Sequence, residues 1–301
     1  MNKDIIKLIK AGASISEISS ALNLTHKEIY EELLKFKNNG YSFDKKYLYD
    51  GSLRYSLNYN FSKSNNTRIE IDSNTFRSVI ISDLHIGSSL ERIDLLNQVY
   101  NYCIKNKIHI IINGGDLVNG MLGVPSIHDN HFDQINYLLD KYPECNNILT
   151  FVLLGNHDVD SLLTSGIDLK CVLENYKHSI IPIGYGNAKI LIKNDSLTLV
   201  HPLGSVCDYK YTGSNSNLIL RGHGHMMKLS DSMLYLPTLS DIFTHGDMYP
   251  GFLDITITFD EKNKFKLINL RHLIFDDELK MKSELEFDPY DTFNTKIKKK
   301  Q

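Results

Sequence analysis

Apolar side chains in the N-terminal stretch recur in short groups at helical spacing. Ile5, Ile6, Leu8 and Ile9 mark a short helix that Gly12 can end. Ser14 and Glu17 form an S-x-x-E capping box at the head of a second helix, which bears Ile15, Ile18, Ala21 and Leu22. Thr25 and Glu28 repeat the box before a third, with Ile29, Leu33 and Phe36 on one face and Asn39-Gly40 as an αL-tolerant stop. The run "KKYLYDGSLRYSLNY" then reads as two strands about an Asp50-Gly51 hairpin turn. Three helices and a hairpin predict a small winged helix-turn-helix-like module over residues 1–61. The same pattern suits a module for protein contacts or homodimer formation, because it specifies no ligand by itself. In the docking reading, the third helix offers Thr25, His26 and Lys27 to a groove of DNA or RNA. Lys45, Lys46 and Arg54 of the wing then meet phosphates. Residues 62–75, "SKSNNTRIEIDSNT", read as a polar linker in which "RIEI" has strand character.

From Phe76 the texture becomes strand, turn and helix. "RSVIIS", "HIIIN", "NILTFVLL", "NAKILIK", "SLTLV" and "NLILR" are short β-branched apolar runs, and helical stretches such as Leu90 to Lys105 lie between the early ones. After His225 only strands and turns follow, in "SMLYLPT", "GFLDITITF" and "KFKLINLRHLI". This predicts an α/β domain over residues 76–275, finished by an antiparallel sheet, and a polar C-terminal tail over 276–301.

At 301 residues and 42% hydrophobic, the chain can bury a sizeable core. A formal net charge of −3 advertises no polyanion-binding surface, so any nucleic-acid contact must come from a local patch. Cys103, Cys145, Cys171 and Cys207 form no C-x-x-C pair, which fits neither a disulfide scaffold nor a zinc knuckle. With no secretory pattern in "MNKDIIKLIKAGASISE" and no apolar run of membrane-spanning length, the expectation is a soluble cytoplasmic protein with no membrane partner.

Polar clusters fall where the apolar runs end. "VIISDLHIG" leaves Asp83 and His85, "IIINGGDLVNG" leaves Asp116 and Asn119, and "LLGNHD" leaves Asn156, His157 and Asp158. "LTLVHPLG" adds His201, and "ILRGHGHMM" adds His223 and His225. Strand ends of an α/β sheet face one crevice, so these side chains can converge. In Asp-x-His and His-x-His, side chains two residues apart on extended chain point the same way and can face one ion or two adjacent ones. Carboxylate, imidazole and amide oxygen together suit a borderline divalent metal.

The ordered series "DLH", "GD", "GNHD", "H" and "GHGH", from about Val79 to Met226, resembles the calcineurin-like metallophosphoesterase superfamily. The resemblance implies a four-layer α-β-β-α sandwich with a two-metal centre. It implies that Asp83, His85, Asp116 and His225 hold one ion, that Asp116, Asn156, His201 and His223 hold the other, and that Asp116 bridges. Manganese is the implied ion, with iron, zinc or nickel compatible. His157 matches the imidazole that stays off the metals and faces the scissile phosphate, with Asp158 orienting or polarising it. The expected chemistry is phosphate-ester hydrolysis by a metal-bridging hydroxide with His157 as general acid. The N-terminal module directs that expectation to a phosphodiesterase or nuclease. Two alternatives stand beside it: a phosphomonoesterase for nucleotides or proteins whose module dimerises, and a DNA-binding regulator with low turnover. His128, Asp129 and His131 in "PSIHDNHFDQ" border the expected crevice, with His128 and His131 as candidate substrate contacts. His245 in "FTHGDMYPG" has similar standing, while Cys207 and the "KIKKK" end read as bland.

Overall fold

The computed structural model describes residues 2–38, 41, 43–57, 67–203, 218–230, 233–242 and 248–298. The expected helix stop at Asn39-Gly40, Cys207 and His245 lie outside them. Three helices come first, α1 (Lys3–Lys10), α2 (Ile15–Leu22) and α3 (His26–Asn38). The Ser14 hydroxyl accepts from the Glu17 amide while the Glu17 carboxylate accepts from the Ser14 amide, the reciprocal box that opens α2. Thr25 and Glu28 do the same for α3. Ile5, Ile9, Ile15, Ile18, Ile29 and Leu33 close a small core against Leu53 and Tyr55 of the hairpin formed by β1 (Phe43–Leu48) and β2 (Leu53–Leu57).

Next come β3 (Thr67–Glu70), β4 (Thr75–Ile81), α4 (Ile93–Asn106), β5 (Ile110–Asn113), α5 (His131–Lys141) and β6 (Leu149–Leu154). Then follow α6 (Asn156–Ser165), α7 (Leu169–Tyr176), β7 (Ile180–Tyr185), β8 (Asn187–Ile192), β9 (Asp195–Val200) and β10 (Leu218–Arg221). The described chain ends with β11 (Lys228–Ser230), β12 (Met233–Tyr235), β13 (Gly251–Phe259), β14 (Phe265–Asp276), β15 (Glu278–Asp288) and β16 (Asp291–Lys298).

Two eight-stranded sheets result. One has the order β16-β15-β14-β13-β4-β5-β6-β7, parallel from β4 to β7 and antiparallel from β13 to β16. The other has the order β11-β12-β10-β9-β8-β3-β1-β2. Between them lies a dry core of Ile80, Ile112, Phe151, Leu153, Ile190, Leu199, Leu220 and Ile255, among others. On the outer face of the first sheet, Val79, Ile81, Ile111 and Val152 pack against Leu95 and Val99 of α4, Leu138 of α5 and Leu173 of α7. The architecture is mixed α/β with two stacked sheets.

Three expectations require correction. The hairpin is not a free wing on a linker: β3, inside the stretch read as linker, pairs in parallel with β1 on one side and β8 on the other. The Tyr47 ring sits edge-on to Phe151 at 5.1 Å, and the Arg77 amide donates to the Tyr49 hydroxyl at 2.7 Å. Residues 276–301, read as a tail, hold β15 and β16 over the described part up to residue 298, and these strands extend the first sheet. Leu279, Met281, Leu285 and Phe287 alternate with charged residues, the pattern of an outer antiparallel strand. Finally, no described helix follows α7, so among the described residues the four-layer sandwich lacks a helical layer on the far face of the second sheet. Helices α1–α3 pack on the hairpin instead, and in β3 Ile69 is buried while Arg68 and Glu70 on the opposite face are exposed.

Candidate metal centre

Each candidate ligand follows the carboxyl end of a strand. Asp83 and His85 come after β4, Asp116 after β5, Asn156 after β6, His201 after β9, and His223 and His225 after β10. Parallel strands bring these ends to one rim of the inter-sheet core. Sharp turns are needed to aim the side chains back at it, and five of the residues adopt left-handed backbone: Asp83 (φ 54°), His85 (45°), Asp116 (52°), His223 (73°) and His225 (54°). Such strain costs about 1–3 kcal/mol per non-glycine residue and persists only where surroundings enforce it. Here the Asp83 amide donates to the Gly115 carbonyl at 2.9 Å, the Leu84 amide to the Asp116 carbonyl at 2.9 Å, and the Thr238 hydroxyl to the Asp83 carbonyl at 2.8 Å. Gly155 serves a different need: a Cβ there would fall 2.3 Å from Asp116 Oδ1.

The side chains form two triads that share a neighbourhood. Asp83, His85 and His225 make one, and Asp116, His201 and His223 the other. In the first, His225 Nε2 lies 3.3 Å from Asp83 Oδ1 and 3.3 Å from His85 Nε2. In the second, His201 Nε2 lies 3.0 Å from Asp116 Oδ2, and the Asn156 amide oxygen is 3.2 Å from His201 Nε2 and 3.1 Å from His223 Nδ1. Asp116 also groups with His85 and His157, so its carboxylate stands between the two triads. The second nitrogen of two rings is fixed by a carbonyl, Gly114 for His201 Nδ1 (2.8 Å) and Ile242 for His225 Nδ1 (3.0 Å), which leaves each Nε2 lone pair facing the centre.

The donors fit divalent ions. Asp116 Oδ2 is buried without a hydrogen-bond partner, with His201 Nε2 3.0 Å away. Carboxylate, imidazole and amide oxygen atoms that converge on an unpartnered buried oxygen are the arrangement a cation resolves, and such a mixed set suits a borderline divalent metal. Without a metal ion, a proton is the cation these carboxylates attract. Burial opposes charge on His201, yet the carboxylates of Asp116 and Asp83 raise it to about 9. Burial dominates at His85, lowering it to about 4.

His157 stands beside the triads. Its ring meets His85 edge-on at 4.6 Å, and its Nε2 is 4.0 Å from Asp116 Oδ2. Its Nδ1 faces the Asn119 carbonyl at 2.5 Å, so that carbonyl, and not Asp158, orients the ring. Asp158 instead accepts from the amides of Leu117 (2.8 Å), Val118 (2.9 Å) and Gly155 (2.8 Å), locking two ligand-bearing turns together. Burial and the Asp116 charge push its pKa up to about 7 against those donors.

Other expected site residues fall elsewhere. His131 is buried, with Nε2 2.8 Å from the Thr164 hydroxyl and 3.3 Å from Asp160, so it is not presented to a substrate. Asp160 in turn accepts from the Met121 amide at 2.8 Å, two residues beyond the carbonyl that orients His157. His128 packs against Tyr137 at 4.8 Å, outside both triads. In the N-terminal unit, Thr25 is spent on its cap. His26 and Lys27 line a cleft of about 730 Å³ facing Glu144, Lys177 and His178 of the larger unit. Lys45 is largely covered, with Lys37 and Glu174 near enough to feel its charge, while Lys46 is exposed. The backbone of Arg54 bridges to Ser14, and its Nε is buried without a partner. Of these six, Thr25, Lys27 and Lys46 are exposed, and His26, Lys45 and Arg54 are partly buried. Orientation of His157 by Asn119 was not anticipated; the only sequence signal was Asn119 following Asp116 in "GGDLVNG".

The profile of the calcineurin-like phosphoesterase family matches residues 76–246, more than half of the chain. No curated protein matches it. Among solved structures, the chain is similar to the phosphoesterase YfcE of E. coli, at 15% identity over 63% of this chain and 96% of that one, with a TM-score of 0.39. It is also similar to Vps29 of Chaetomium thermophilum, at 12% identity over 72% and 98%, TM-score 0.43. A third is the nuclease MPE of Pseudomonas putida, at 14% identity over 65% and 84%, TM-score 0.33. Among the described residues no helix is long and apolar enough to cross a membrane. With two triads that could hold metal inside the matched segment, the chain belongs to the calcineurin-like phosphoesterase family and is a metal-dependent hydrolase.

Proposed function

We propose that this protein is a two-metal phosphodiesterase. One feature carries the reading: Asp116 stands between the two triads, where one carboxylate can serve two ions. Asp83, His85, Asp116 and His225 would hold one ion, and Asp116, Asn156, His201 and His223 the other. Manganese is expected first, and iron, zinc and nickel suit the same donors. When bound, such a pair lowers the pKa of water and neutralises phosphoryl oxygens. The chain's own contribution is positioning and proton transfer. With Nδ1–H donating to the Asn119 carbonyl, His157 keeps Nε2 toward Asp116, and in its protonated form Nε2–H donates to the departing oxygen. Asp158 keeps the turns that carry Asp116 and Asn156 at fixed separation.

A diester is favoured because a cavity of about 380 Å³ shares His225 as a wall, leaving room for the ester group that does not depart. Nucleic acid and smaller nucleotide diesters are the substrates this reading prefers, reached through the site itself and not through α3, whose His26 and Lys27 face the larger unit. The test is metal analysis followed by kinetics on manganese-loaded protein with 4-nitrophenyl phosphate and bis(4-nitrophenyl) phosphate. Two ions per chain and higher kcat/KM on the diester are expected. One ion or fewer ends the two-metal reading, and a monoester preference turns the assignment to a phosphomonoesterase.

A further inference from the structure

We propose that the cavity beside His225 is a nucleobase pocket, so that the ester group retained on the phosphate is a nucleoside. The inference rests on the phosphodiesterase reading for its chemistry and on the cavity's own lining for its specificity. Met226 and Met227 follow His225 directly and, with Met248 and Tyr249 ahead of β13, form walls of thioether and phenol ring. Met226 and Tyr249 are each 42% exposed, which leaves their faces accessible beside a candidate metal ligand. Polarisable sulfur and an open aromatic face favour a flat π-system over a sugar or a bare ion.

One polar atom narrows the choice further. His272 on β14 lines the same cavity, is 7% exposed, and its Nε2 is buried without a hydrogen-bond partner. Burial, with the Lys282 charge nearby, lowers its pKa to about 4, so near neutral pH the ring is uncharged and has one N–H and one lone pair to offer. An unpaired buried polar atom is costly, and the edge of a heterocycle, with its own donors and acceptors, removes that cost. An alkyl chain would leave Nε2 unpaired. Lys282, exposed on β15 and lining the same cavity, places a cation suited to a neighbouring phosphate.

The experiment uses the manganese-loaded full chain and three diesters that release the same nitrophenol: thymidine 5′-(4-nitrophenyl phosphate), methyl 4-nitrophenyl phosphate and hexyl 4-nitrophenyl phosphate. The nucleoside ester should exceed the methyl ester in kcat/KM by about ten- to a hundredfold, the range set by one base stacked on an aromatic ring. Tyr249→Ala and Met248→Ala should each reduce that margin, mainly through KM, while methyl ester turnover stays within about twofold of the parent, in line with stacking as the source. His272→Leu should lower the nucleoside ester alone. Calorimetric binding of thymidine 5′-monophosphate to parent and Tyr249→Ala protein gives a readout that needs no turnover. Binding lost with Tyr249 while no diester is hydrolysed would keep the pocket and end the phosphodiesterase reading. A hexyl ester as good as the nucleoside ester, or equal losses on all three esters in the variants, overturns the nucleobase assignment. If Tyr249→Ala does not fold, the exposed Met226→Ala takes its place under the same criteria.

Discussion

At Asp116 the backbone is left-handed, glycines admit close approach, the carboxylate and imidazole atoms of each triad lie within 4.8 Å of one another, and the Asn156 amide oxygen is 3.2 and 3.1 Å from two of the rings. At α3 the helix is regular and capped, and its Tyr30 ring stacks on His178 of the larger unit at 3.6 Å. Both regions obey local rules well. They differ in where their meaning lies. A strand-end turn fixes its side chain relative to the neighbouring strand ends through short backbone bonds, so its chemistry travels with a few residues. The meaning of a helix face depends on what covers it. The face of α3 that would read a groove lines a cleft against the phosphoesterase strands and helices, and the hairpin tip at Gly51 is pressed so close to Asn147 that a Cβ would lie 2.2 Å from its carbonyl oxygen.

The comparison breaks most readily if the N-terminal unit proves detachable. Removing residues 1–61 strips β1 and β2 from the second sheet and uncovers Phe151 and Ile69. The loss, on the order of several kcal/mol against a typical total of roughly 5–15, should leave little cooperatively folded protein in a thermal melt. A truncated chain that melts and turns over like the parent would show the unit to be an appendage.

Asp116→Ala tests the other side. It should bring metal content below two ions per chain and slow diester hydrolysis by roughly 10³-fold or more, about 4 kcal/mol in the barrier. Two ions retained on inductively coupled plasma analysis would remove Asp116 as the shared ligand. Next in size, His157→Ala should keep both ions and lose roughly 10²- to 10⁴-fold on an alkoxide leaving group, with a smaller loss on nitrophenolate, which departs without a proton. Equal losses on both would take away the general-acid role. Smallest is Tyr30→Ala, which removes the stack on His178 and the edge contact with Tyr55. Beyond the burial lost with the ring, it should cost about 1 kcal/mol in denaturant unfolding and leave kcat and KM untouched. An altered KM would connect the α3 cleft to the substrate.

How much could be read beforehand follows the same division. The convergence of Asp83, His85, Asp116, Asn156, His201, His223 and His225 was legible because each follows an apolar run that becomes a strand, and parallel strands place such ends on one rim. Helices α2 and α3 were legible from Ser14, Glu17, Thr25 and Glu28, whose caps are local hydrogen bonds. Contacts made across long sequence separations were not. Asp158 next to His157 looked like its partner, yet it reaches back to the amides of Leu117 and Val118. His131 looked like a crevice residue and turned inward to Thr164. In β3 the strand character of "RIEI" was visible, but Ile69 is the sole fully buried side chain and nothing local named β1 and β8 as its partners. In β15, dense charge masked a period of two.

The position of β4 has a consequence for how the chain is made. This strand, which leads into Asp83, pairs with β5 on one side and with β13 on the other. A ribosome delivers all seven candidate ligands and His157, from residue 83 to residue 225, before it reaches Gly251–Phe259. Through that interval one edge of β4 has its amides and carbonyls open, the condition under which strands recruit the wrong neighbour. The nascent chain therefore exports its metal-binding groups ahead of the strand that seals the sheet they hang from. Synthesis stalled anywhere between Met226 and Pro250 leaves a polypeptide rich in imidazole and carboxylate with an unfinished sheet, a substrate for chaperones and not yet an enzyme.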